Sequence, residues 1–62
     1  METRFIIFLR YADGTINTYR GGDFRKVKFA FEIYTMDPEC LAASVTDTEN
    51  NYEAVLEYSK PR

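Results

Sequence analysis

Sixty-two residues carry a formal net charge of −2, and 45% of the side chains are hydrophobic and 16% aromatic. A chain this short and this apolar is neither a disordered tail nor a pair of domains, and folding buries only roughly 60% of its unfolded surface around one thin core. Histidine is absent and Cys40 is the single cysteine, which excludes an intrachain disulfide and a four-cysteine metal site and removes the commonest general base.

The first element is announced by Phe5-Ile6-Ile7-Phe8-Leu9, a run of β-branched and aromatic residues followed shortly by Asp13-Gly14. Asp-Gly favours a two-residue hairpin loop. With that loop, Tyr11 stands opposite Ile16, Leu9 opposite Thr18 and Phe8 opposite Tyr19. Side chains alternate along a strand, so Phe5, Ile7, Leu9, Tyr11 and Ile16 then share one face, and Arg4, Ile6, Phe8, Arg10, Asn17 and Tyr19 the other.

Residues 23–36 fit two patterns. As a helix, Asp23 is the N-cap after Gly21-Gly22, and Phe24, Val27, Phe31 and Tyr34 line one face until Pro38 forbids continuation. As a strand, Val27, Phe29, Phe31 and Ile33 alternate with Lys26, Lys28, Ala30 and Glu32. The last element reads as a hairpin turning at Asn50-Asn51, a register that places Leu41, Ala43, Val45, Ala54, Leu56 and Tyr58 on one face. A four-stranded sheet with one apolar face needs a cover. The expected fold is therefore α+β: one domain over residues 1–62, order ββαββ, with the helix packed on one face of the sheet. The alternative is βββαα, with residues 24–35 as a strand.

Chemistry is mostly absent. No Gly-rich phosphate loop, Walker-type lysine motif or histidine-based metal motif occurs. No metal and no cofactor are expected, and a thin core leaves little room for an enclosed catalytic pocket. The chain reads as a non-enzyme. Cys40, with no histidine to act as its base, reads as a buried structural thiol. No apolar run approaches the ~20 residues of a membrane span, and no signal-peptide pattern opens the chain, so a cytoplasmic protein is expected.

Charge is segregated. Residues 1–31 hold six bases and three acids (Glu2 among them), whereas residues 32–62 hold seven acids and only Lys60 and Arg62 as bases. Such asymmetry bears on partner choice and association rate. Three candidate surfaces follow. Glu49, Glu53 and Glu57 form an acidic ridge, with Glu53 and Glu57 two strand steps (~7 Å) apart on one face, suited to a basic nucleic-acid-binding surface on a partner protein. On the helix reading, Phe29, Ile33 and Met36 make an apolar stripe opposite the core side, fit for a homodimer seam or a partner. On the open sheet face, Phe8 and Tyr19 could stack bases while Arg4 and Arg10 neutralise phosphates, as in a single-stranded nucleic-acid binder.

The sequence Tyr11-Ala12-Asp13-Gly14-Thr15, the helix closing at Met36-Asp37-Pro38-Glu39, and the final Ala43-Ser44-Val45-Thr46-Asp47 and Val55-Leu56-Glu57-Tyr58 segments resemble small ββαββ proteins of bacteriophages and mobile elements. That group includes anti-CRISPR and other host-takeover inhibitors. The resemblance spans the chain at the level of layout and carries over no site residue. It implies a protein of the bacterial cytoplasm that binds and blocks a host complex. Direct nucleic-acid binding and a structural, self-associating role are the competing expectations.

Overall fold

A computed structural model describes residues 4–61; Glu2 and Arg62, counted in the charge asymmetry above, lie outside them. The chain runs β1 (Phe5–Tyr11), β2 (Ile16–Gly21), α1 (Phe24–Thr35), β3 (Cys40–Asp47) and β4 (Glu53–Ser59). The strands form one antiparallel sheet in the order β2-β1-β3-β4, and α1 lies across one face. The expected ββαββ fold is the observed one. The strand reading of residues 24–35 is not what forms.

The reason is visible in what α1 covers. Phe5, Ile7 and Leu9 of β1, with Cys40, Ala43 and Val45 of β3, are buried beneath Val27 and Phe31 of the helix. These side chains share the sheet face that a helix, and not a further strand, can cap. Asp23 is the N-cap, its side chain accepting the Arg25 N–H at 2.9 Å. The chain leaves the helix at Met36, and Asp37 then caps its own turn by accepting the Glu39 N–H at 2.9 Å. Phe24 sits at the rim and not in the core, its ring tilted against Phe5 at 5.4 Å.

The first hairpin differs from expectation by one residue. Ile7 pairs with Tyr19, Leu9 with Asn17 and Arg10 with Ile16. The loop holds three residues, not two. The Gly14 N–H donates to the Tyr11 carbonyl at 3.0 Å, the Tyr11 N–H donates to the Thr15 carbonyl at 2.9 Å, and Gly14 has φ +88°. This is a tight turn followed by a left-handed glycine, the second common use of Asp-Gly in hairpins. Asp13 tightens it by accepting the Thr15 N–H at 2.8 Å. A slip of one residue exchanges the faces of a whole strand. Tyr19 therefore lies on the helix side, stacked on Tyr34 with centroids 4.7 Å apart, and Ile16 lies on the open face.

The second hairpin follows the expected register through Ala43–Tyr58 and Val45–Leu56, then departs from it. Val55 is an extra residue, a bulge, so Thr46 pairs with Ala54 and Asp47 with Glu53. The turn is centred one residue later than Asn50-Asn51. Asn51 and Tyr52 both have positive φ (57° and 58°), and the Glu53 N–H donates to the Asn50 carbonyl at 3.1 Å.

Candidate functional site

Three surfaces are exposed enough to meet another molecule. The first is the outer side of α1. Phe29, Ile33 and Met36 are 66%, 50% and 79% exposed. At ~100° per residue, Phe29 stands ~200° around the helix from both Val27 and Phe31, directly away from the core. The expected apolar stripe is thus contiguous and uncovered.

The second surface is the sheet face that α1 leaves open. Pairing places Phe8 opposite Thr18 and Ser44, Ile6 opposite Arg20 and Thr46, and Arg10 opposite Ile16 and Ala42. Phe8, Ile16 and Val55 are among the exposed large hydrophobic residues. An open hollow on this face is lined by Phe8, Arg10, Ile16, Ala42, Ser44 and Glu57. Its lining is largely apolar, with the cation Arg10 on the central strand β1 and the acid Glu57 on the edge strand β4. The sequence pattern missed Ile16 and Arg20 here because the one-residue slip in the first hairpin carried both to this side.

The four residues expected to read nucleic acid are not brought together. Phe8 and Arg10 share the open face, but Tyr19 lies behind the sheet against Tyr34. Arg4 is committed elsewhere. Its guanidinium grips Asp47 bidentately, Nε to Oδ1 at 2.8 Å and Nη2 to Oδ2 at 2.9 Å, and lies over the Phe5 ring. Its carbonyl accepts both the N–H and the hydroxyl of Thr48, at 2.8 and 2.7 Å. Asp47 is buried, and the Arg4 hydrogen bonds hold its carboxyl below the usual carboxylate range. The pair ties the start of β1 to the end of β3.

The acidic ridge is also reshaped. Glu49, Glu53 and Glu57 are all exposed, yet the Val55 bulge sets Glu53 opposite Asp47 and Glu57 opposite Ser44. By pairing, these are different faces, so the expected one-sided spacing of ~7 Å does not hold. Glu53 accepts the Asn50 side-chain amide at 3.2 Å, and Glu49 lies in the loop with its N–H donated to Asp47 Oδ1 at 3.0 Å. What remains is an acidic edge strand, with Glu57 alone reaching the open face.

Cys40 is fully buried, and burial, with a smaller effect from Asp37, pushes its thiol pKa up. A protonated, enclosed thiol of this kind is inert. Among the described residues, no cluster of three or more His, Cys, Asp or Glu side chains is placed to hold a metal ion, and no helix is long and apolar enough to cross a membrane. Comparison with protein-family models, with curated proteins and with solved structures found no match to this chain.

Proposed function

We propose that this chain is a non-enzymatic protein-binding module of the bacterial cytoplasm, one that acts by occupying the surface of a partner, in the manner of small phage and mobile-element inhibitors of host complexes. The observation that carries the reading is the uncovered sheet face. Phe8 and Ile16 stand exposed on it, and the hollow between them is flanked by Arg10 and Glu57. Exposed apolar side chains interspersed with charged ones, Arg10 among them, match the mixed composition of a non-obligate protein interface. The acidic β4 edge beside it favours a partner with a basic surface, including one that otherwise holds nucleic acid. Edge charge also keeps sheets from pairing end to end, and the experiment separates the two roles.

Immobilised full-length protein is exposed to a bacterial lysate, in parallel with Ile16→Glu and with the triple reversal Glu49→Lys, Glu53→Lys, Glu57→Lys. A specific host protein should be retained by the native chain and lost with Ile16→Glu. The triple reversal should slow association with that protein most, since rim charge acts chiefly on encounter. Retention that ignores both variants, or no specific retention, refutes the reading. Of the four residues of the nucleic-acid alternative, Phe8 and Arg10 share this face, while Tyr19 stacks on Tyr34 and Arg4 is paired with Asp47, which supports the protein-binding reading over it.

A further inference from the structure

We propose that the outer face of α1 pairs with the same face of a second copy, as an antiparallel, two-fold-symmetric homodimer. This surface lies on the opposite side of the domain from the open sheet face, so the inference stands whether or not that face binds a host protein.

Two observations identify the occupant as a second copy. The first is the stripe of Phe29, Ile33 and Met36, the last being the most exposed large apolar side chain described. A symmetric seam buries one such patch with another. The second is charge. Arg25 and Lys26 lie in the first turn of α1, where no acid is present, whereas Glu32 lies in the last turn and Asp37 just beyond it, where no base is present. Inside the N-cap carboxylate of Asp23, this is the reverse of what a helix dipole favours, since anions stabilise the N-terminal end and cations the C-terminal end. An isolated helix is weakened by that arrangement. A partner helix running the other way reverses the effect at both ends, because it brings acids to the basic end and bases to the acidic end.

One register satisfies both observations. Let the two-fold axis pass the outer side of α1 level with residue 31. Phe29 of one copy then meets Ile33 of the second, since each is two residues from the centre. Arg25 and Lys26, six and five residues before it, meet Asp37 and Met36, which follow it by the same distances. Phe29 thus falls on Ile33 and Arg25 comes level with Asp37, while Met36 lies level with the aliphatic stem of Lys26. The helix has 12 residues, ~18 Å in length. A seam of that size falls below the ~1,200 Å² of tight complexes, so dissociation in the micromolar range is expected.

Sedimentation equilibrium of the full chain from ~1 to ~300 µM, spanning the range expected of a small interface, tests association. A monomer–dimer equilibrium is expected, and Ile33→Glu should abolish it while leaving the circular dichroism spectrum and melting profile native. Should Ile33→Glu disturb folding, Met36→Lys serves in its place, because that side chain makes the least contact with its own domain. A native chain that is monomeric at the highest concentration overturns the proposal. So does a dimer indifferent to the well-folded stripe variant.

Orientation is read by oxidative cross-linking of Arg25→Cys and Met36→Cys, with Cys40 buried and inert. In the antiparallel register, two copies of position 25 lie ~18 Å apart along the axis and two copies of position 36 ~15 Å apart, beyond disulfide reach. Neither variant alone should cross-link, and an equimolar mixture should give the mixed dimer. Cross-linking within either variant alone, or none in the mixture, overturns the antiparallel pairing.

Discussion

Gly21→Ala should destabilise this protein, against the usual sign of that substitution. Gly21 closes β2 and pairs with Phe5 beneath the first turns of α1. A Cβ built on it would stand 2.8 Å from Val27 Cγ2, well inside the ~3.5–4.0 Å of a comfortable carbon–carbon contact. Val27 is buried, and β-branching leaves it one strongly preferred rotamer in a helix. It cannot swing away, so either the helix lifts from the sheet or the end of β2 shifts. Overpacking of this kind costs about 1–3 kcal/mol. Removing glycine freedom from the unfolded chain returns about 0.4–1 kcal/mol. The net loss is about 0.5–2 kcal/mol, a fall in Tm of roughly 3–15 °C for a domain this size. Thermal unfolding followed by circular dichroism reads it. The sharper test is the background: in Val27→Ala, which removes the offending methyl, Gly21→Ala should become neutral or stabilising. Equal stability of Gly21→Ala and the native chain, or strict additivity with Val27→Ala, refutes the close approach.

Gly14 presents the opposite case, with nothing within 4 Å of its would-be Cβ but a φ of +88°. Gly14→Val should therefore cost about 1–2 kcal/mol of conformational strain, and Gly14→Asn clearly less, as read from urea midpoints. Asp47 supplies a pH signature. Arg4 holds its folded-state pKa below the usual value, so its contribution to stability is fully present above the unfolded carboxylate pKa of ~3.9 and is lost as pH falls through the lower folded value. The urea midpoint should be flat from neutrality to about pH 5 and fall below about pH 4. Asp47→Asn should flatten that fall while lowering stability at pH 7. An unchanged acid limb would remove Asp47 from the account, leaving Asp13, whose carboxyl Thr15 also holds low.

The helix was legible because its signals are local. Asp23 before the helix, Pro38 after it and the buried pair Val27 and Phe31 all act within one or two turns. The register of the first hairpin was not. Asp13-Gly14 serves a two-residue and a three-residue loop equally well, and β2 is an edge strand whose large apolar residues, Ile16 and Tyr19, have opposite parity. Either register turns one toward the helix side and the other to the open face. Alternation therefore carried no preference, and the Tyr19–Tyr34 stack, a tertiary contact, accompanies the register that forms. In β4 the run Ala54-Val55-Leu56 is apolar at three successive positions, which hides a bulge from any reading by alternation. The Arg4–Asp47 pair spans 43 residues and depends on β1 pairing with β3. Its one sequence trace is an acid in phase with the buried Ala43 and Val45, a position that calls for a partner.

The two proposed surfaces constrain each other through geometry. α1 covers one face of the sheet, and the candidate partner surface is the other. If copies associate through the outer sides of their helices, the order across the dimer is sheet, helix, helix, sheet, and the two open faces point in opposite directions. A single flat patch on a host protein cannot contact both. Such a dimer gains no chelate effect on one partner molecule, because avidity requires both sites to be engaged at once. It would instead bridge two partner molecules, or two subunits that flank a gap as wide as the dimer. Association through the helix therefore predicts a partner stoichiometry of two per dimer, with Ile33→Glu leaving the affinity of each open face unchanged. One partner subunit per dimer would mean that the two open faces are not equivalent, and the symmetric seam along α1 would have to be abandoned.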